Sequence, residues 1–253
     1  MTAGGVATPH RLASEAAERI LREGGNAFDA ALCAAAVLVV VYPHQCALGA
    51  DLFAVVQRAG EEPLSINGSG ALPAAADVEA LRERFEEMPG GGPETVTVPG
   101  LVSGWQALAE SGCSMPVAAL LAPAVELAMG GVAVSASLDA GLRAQREVIA
   151  ADPGLAGTFS TLAAGDTLCQ PALARTLAAL SEQGLDSFYR GRTAAALAEG
   201  LASIGVPVAA GDLAAQGGTQ VMVVALGAEA LPLTPWTGDR AVLLGAIEAV
   251  EPT

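Results

Sequence analysis

The chain has 253 residues, 52 % of them hydrophobic and only 4 % aromatic, with a formal net charge of -15. That length suits one large domain or two small ones, with a core built mainly from Ala, Val and Leu. So acidic a surface repels phosphate backbones and anionic bilayers, which excludes nucleic-acid binding and membrane-surface attachment.

The opening stretch, "MTAGGVATPHRLASEAAERI", lacks a basic segment followed by an apolar one, so no signal peptide is expected. A first helix is predicted with Leu12, Ala16, Ile20 and Leu21 on one face. Gly24 and Gly25 stop it, and Asn26 caps a second helix. That helix is apolar nearly all round, which predicts burial. Its Asp29 lies in the first turn, where the helix dipole favours an anion. The apolar run after Asp29 is too short to span a bilayer. Pro43 ends it. "DLFAVVQ" and "LSINGSGALP" read as two strands of a hairpin. A short charged helix over residues 78–88, a connector "MPGGGPE" and a strand over "TVTVPG" follow. A helix then begins or continues over residues 104–111. From residue 116 the pattern is mostly helical, punctuated by Gly and Pro, with one helix over "SASLDAGLRAQREVIA". "TQVMVVALG" reads as a strand and "DRAVLLGAIEAVE" as a closing helix. Strands flanking a large helical middle favour α+β or layered α/β.

Motifs that carry chemistry are sparse. No segment matches a P-loop, a dinucleotide fingerprint or a nucleophile elbow. Cys33, Cys46, Cys113 and Cys169 form no CxxC pair and read as reduced, mostly buried thiols. With only His10 and His44 beside them, no structural zinc and no cofactor are expected. His10 reads as a surface or capping residue, and His44 as a turn residue. A nucleophile–base pair of Ser69 and His44 has no supporting pattern. Asp29 and Asp51 read as burial candidates that anchor a cap or a turn. Taken alone, these residues describe an acidic, soluble, helix-rich globular protein.

Whole-chain motif order goes further. "HRLASEAAERILREGGNAFDAALCAAAVLVVVYPH" resembles the opening block of the gamma-glutamyltranspeptidase family. "ALGADLFAVV", "TVTVPGLVSGWQAL", "LLAPAVELAMGGVAVS", "CQPALARTLAALSEQGLDSFYRG", "AAGDLAA" and "LPLTPWTGDRAVLLGAIEAVE" are similar to its later blocks, in the same order. The resemblance implies the N-terminal-nucleophile hydrolase fold, an αββα sandwich in the α+β class. This chain, residues 1–253, is then one domain, the helix-rich large-subunit part of a heterodimer.

The resemblance also implies a precursor that cuts itself before a threonine. The new N-terminal threonine, on a partner small subunit, is the nucleophile, and its α-amine is the base. No catalytic residue is then expected in this chain, which accounts for the missing nucleophile–base pair. The stretch that normally precedes the cleavage threonine is not found, so a shortened member or a fragment is expected.

Departures from the family pattern bear on the substrate. Where typical members carry an arginine that clamps a glutamyl α-carboxylate, this chain reads "INGSGALP". Asn67 and Ser69 remain as candidate substrate-binding residues. Asp51 lies where acylase-like relatives also place an acid after the glycines, and it is a third candidate. The implied function is a hydrolase or acyltransferase acting on a small substrate other than glutathione, in the cytoplasm and in antibiotic biosynthesis. Two alternatives stand beside it. One is an atypical member that cleaves a carbon–carbon bond in an alkylproline precursor. The other is a catalytically inactive structural or binding homologue.

Overall fold

The computed structural model describes residues 4–216, 224–226 and 230–232. Two compact units are delineated: residues up to Leu48 with Ala109–Gly184, and Gly49–Leu108 with the residues from Leu185 onward. The polypeptide therefore passes from one unit to the other at residues 48/49, 108/109 and 184/185.

His10 opens the first unit. Its backbone is extended and its Nδ1 accepts from the Leu12 amide, so it caps α1 (Arg11–Arg22). The buried face of α1 is Ala13, Ala16, Ala17 and Ile20. The expected Leu12 and Leu21 are only half-buried, because alanines let α1 approach its neighbour closely. Ala17 meets Ala30 and Ala34 there, with Leu21 at the margin. Gly24 takes a φ of +98°, which ends the helix in the left-handed region. Asn26 then caps α2 (Ala27–Val41) through a complete capping box with Asp29. α2 is buried on nearly all sides, as its uniform apolarity predicts.

The second unit starts with β1 (Leu52–Val56), paired antiparallel with β2 (Leu64–Gly68), the predicted hairpin. Asp77 caps α3 (Val78–Arg84), and a 3-10 turn spans Pro93–Thr95. The strand expected over "TVTVPG" is absent. The Val98 amide donates to Ala71 O at 2.9 Å, but glycines turn this approach into a crossing instead of a ladder. An added Cβ at Gly100 would lie 1.9 Å from Gly68 O, and one at Gly70 would lie 1.7 Å from Val98 O. α4 (Leu101–Gly112) starts directly from that crossing, and the helix expected over residues 104–111 continues it.

Back in the first unit, α5 (Val117–Gly130) packs against α2. Two-residue β3 (Val132–Ala133) pairs with β4 (Thr167–Leu168), a pair too short to be read from sequence. Between them lie α6 (Ala136–Ala144), α7 (Arg146–Ala151) and α8 (Pro153–Phe159). The single helix expected here breaks at Gln145, whose φ of -105° and ψ of 17° lie in the bridge region. α9 (Pro171–Gln183) covers α5. Buried Gln170 ties this core together: its amide donates to Ala128 O and its Nε2 to Val40 O, each at 2.8 Å.

The second unit resumes with a 3-10 turn at Leu185–Phe188, α10 (Arg192–Ser203), α11 (Ala210–Gln216), and β5 (Val224–Leu226) paired with β6 (Ala230–Pro232). β5 falls inside the strand predicted over "TQVMVVALG". The helix predicted over "DRAVLLGAIEAVE" lies outside the described residues.

The four thiols are free, but only Cys33 is fully buried; Cys46 and Cys113 are half-buried and Cys169 is exposed. The expectation of mostly buried thiols fails at Cys169, which stands just beyond the end of short β4. Burial pushes the Cys33 thiol up to about 11. Among the described residues, no helix is long and apolar enough to cross a membrane.

Candidate functional site

The hairpin of the second unit brings together the three residues singled out from the sequence. Leu52 pairs with Gly68, so Asp51 and Ser69 each stand one step beyond that pair, at the same end. Side chains alternate along a strand. Phe53 and Val55 therefore share a face with Ser65 and Asn67, while Asp51 and Ser69 flank the end of the ladder. This face is open, with Phe53 68 % and Val55 65 % exposed, while Ile66 and Gly68 on the other face are buried.

Local geometry shapes each of the three. Asn67 Oδ1 accepts from the Ser69 amide at 2.9 Å, an Asx turn that orients the carboxamide and re-aims the chain. Gly70 follows with a φ of +69°. Partial desolvation pushes the Asp51 carboxyl above its ordinary value.

Behind this turn lies a buried polar network that sequence reasoning missed. The Tyr189 hydroxyl donates to Pro99 O at 2.9 Å and accepts from the Ser103 amide at 2.8 Å. Ser103 Oγ donates to Gly100 O at 2.8 Å and accepts from Gln216 Nε2 at 3.3 Å. Gln216 Oε1 in turn accepts from the Ala71 amide at 3.2 Å. Asp212 adds a second brace, accepting from the Ala74 and Ala209 amides. The only signal for Tyr189, Asp212 and Ser103 is their place in the "FYRG", "DLAA" and "TVTVPGLVSGWQAL" blocks, and Gln216 directly follows the "AAGDLAA" block.

Burial raises the Tyr189 phenol above its ordinary value, and its hydrogen bonds with Ser103 act the other way. The group stays protonated and can serve as donor and acceptor at once. Tyr189→Phe is expected to cost about 1–3 kcal/mol, because it leaves a buried amide and a buried carbonyl unpaired. Urea unfolding measures this as a lower midpoint at unchanged slope.

In the first unit, Asp29 is fully buried and serves as a structural anchor, as its sequence position suggests. His44 follows Pro43 in a turn, and its Nε2 meets Ser137 Oγ at 3.0 Å. No group of His, Cys, Asp and Glu among the described residues could hold a metal ion.

Known structures share this fold. The chain aligns with gamma-glutamyltranspeptidase from Helicobacter pylori at a TM-score of 0.82 and 26 % identity, covering 92 % of this chain and 70 % of that one. It aligns with cephalosporin acylase from Bacillus halodurans at a TM-score of 0.76 and 28 % identity, covering 89 % and 47 %. The fold is that of the N-terminal-nucleophile hydrolases, and this chain is its helix-rich, large-subunit region.

Sequence comparison narrows the class. The oxamate amidohydrolase proenzyme of Klebsiella pneumoniae is 42 % identical over 226 residues, 85 % of this chain and 42 % of the relative. The family described as Gamma-glutamyltranspeptidase matches residues 13–224. The chain belongs to the gamma-glutamyltranspeptidase family. It spans less than half the length of its amidohydrolase relative.

Proposed function

We propose that the chain is the large-subunit part of an autoprocessed hydrolase or acyltransferase acting on a small amide other than glutathione. The observation that carries this reading is the 67–71 turn, where Asn67, Ser69 and Ala71 stand and no arginine does. An arginine fork grips a carboxylate bidentately. A carboxamide and a hydroxyl pair with an amide or carbonyl group instead, which suits a small amide that is uncharged or charged differently from a glutamyl group, oxamate among the latter. The relative named as an oxamate amidohydrolase supports a small amide substrate, and its being a proenzyme supports a cleaved precursor.

The nucleophile is the N-terminal threonine of a partner subunit. Its hydroxyl attacks the amide carbonyl while its own α-amine takes the proton and passes it to the leaving nitrogen. Water or an amine then takes the acyl group from the threonine ester. Asn67 and Ser69 orient the substrate, and the glycine crossing with its polar network holds their turn in place.

Intact mass spectrometry of the whole gene product is expected to show two polypeptides. The same preparation is expected to release ammonia from oxamate and to leave γ-glutamyl-p-nitroanilide uncleaved. Asn67→Ala and Ser69→Ala are each expected to lower kcat/KM about tenfold, the loss of roughly 1.4 kcal/mol of transition-state binding. Turnover of the γ-glutamyl substrate overturns the reading. So does a polypeptide that stays uncut and never reacts with an acyl-trapping inhibitor.

A further inference from the structure

The first unit contains a cleft that the proposed reaction does not use. It encloses about 500 Å³, within the range of about 300–1,000 Å³ typical of small-molecule sites. Its walls come from α6, α7 and α8, which bend around it because the helix breaks at Gln145. Leu138, Leu142, Ile149 and Phe159 form the apolar lining. Val148 stands at the mouth, 57 % exposed.

One wall is polar. His44 lines the cleft, with Gln45 and Gln145 nearby in the lining. The His44 ring is held from three sides. Its Nε2 meets Ser137 Oγ at 3.0 Å. The Tyr42 ring lies against it at a centroid distance of 4.2 Å. Gly141 of α6 faces it so closely that an added Cβ would fall 3.1 Å from His44 Cβ and Cδ2. The glycine costs helix stability at that position, and the ring occupies the space it leaves. His44 Nδ1 is buried and has no hydrogen-bond partner among the described residues. Burial pushes this imidazole below its ordinary value, which keeps it neutral near pH 7.

Among the described residues, no charged side chain lines the cleft. A carboxylate or ammonium entering it would lose hydration without a counter-charge. A neutral group loses less, and the carboxamides of Gln45 and Gln145 in the lining can pair with a ligand amide. We propose that this cleft binds an uncharged small molecule with an aryl or branched-alkyl body and one amide group, the body among Leu138, Leu142 and Phe159 and the amide at Gln45 and Gln145, beside His44.

The test uses the full-length protein with phenylacetamide and 4-methylpentanamide, and with phenylacetate and 4-methylpentanoate as charged counterparts. Calorimetry is expected to give Kd values of about 1 mM or tighter for the amides, at least tenfold tighter than for the acids. The His44 ring nitrogens are expected to shift in 15N spectra as the amides saturate. Leu142→Trp, which fills the cleft, and Val148→Glu, which charges its exposed mouth, are each expected to weaken amide binding at least tenfold. The second variant alters an exposed position, so the test survives if the first fails to fold. Three results overturn the proposal: no amide binding because another polypeptide segment seals the cleft, equal binding of acids and amides, or amide binding unchanged by Val148→Glu.

Discussion

Asp29→Ala is expected to destabilise the first unit by about 4 kcal/mol, because it removes a buried charge and strands the donors around it. Asp29 Oδ2 accepts from the Asn26 amide at 2.8 Å and the Ser114 hydroxyl at 2.6 Å. Oδ1 accepts from the Ser114 amide at 2.9 Å and the Met115 amide at 3.0 Å. One carboxylate thus closes the α2 capping box and fastens the segment that joins α4 to α5. Asp29→Asn keeps the shape but turns an NH2 group toward two donors, so about half of the loss is expected. In a chain of this size the alanine variant corresponds to a fall in Tm of about 10 °C, readable by circular dichroism.

The pH dependence has a definite sign. Burial by itself would raise the Asp29 carboxyl, but the hydrogen bonds from Asn26, Ser114 and Met115 outweigh it and hold the group below the ordinary 3.8. A folded value below the unfolded one means that the contribution is complete above pH 3.8. It is lost as pH falls below that point through the depressed folded value. The stability gap between wild type and Asp29→Asn is therefore expected to narrow on acidification. A gap that is constant with pH would show that the charge itself contributes nothing. The same carboxylate pushes the neighbouring Cys113 thiol, already raised by burial, up to about 12. Cys113 is accordingly expected to react slowly with thiol reagents at neutral pH, since the thiolate is the reactive form.

The second large effect is expected at Gly70. Gly70→Ala must place a methyl group 1.7 Å from Val98 O and 2.9 Å from Val98 C, on a backbone with a φ of +69°. The left-handed conformation alone costs about 1–2 kcal/mol for a residue with a Cβ. Gly60→Ala isolates that part, because Gly60 has a φ of +80° with no atom within 4 Å of the added Cβ. Gly60→Ala is therefore expected to cost about 1 kcal/mol. Gly70→Ala should exceed it by about 2 kcal/mol or more, since backbone must move aside. Gly70→Ala should also displace Asn67 and Ser69 and depress amide turnover, whereas Gly60→Ala should leave turnover intact. Equal costs for the two substitutions would mean that the crossing at Val98 yields easily and does not hold the turn.

These two residues show how far the sequence could be read. The reciprocal capping box that Asn26 and Asp29 close is a finding of the structure, whereas the sequence displayed Asn26 as the cap of α2 and Asp29 in its first turn. What it did not display was the far side of Asp29, because Ser114 and Met115 arrive from more than 80 residues away. The hairpin was legible from alternation and turn residues. The failed strand over "TVTVPG" was not, because its fate depends on a crossing of backbones at Gly70 and Gly100 that no periodicity records. The break at Gln145 was equally hidden, since an ordinary helix former occupies it. At the site, the resemblance drew attention to the 67–71 turn and to Asp51. The network of Tyr189, Ser103 and Gln216 was hidden because its hydrogen bonds join segments 86 to 145 residues apart, which no local pattern records.

The back-and-forth path of the polypeptide has a practical corollary. Each unit draws on two stretches separated by the other's sequence. No terminal truncation can deliver either unit whole and free of the other. Anyone grafting this scaffold onto a different substrate specificity must exchange both stretches of a unit together, or change side chains one at a time within the intact chain.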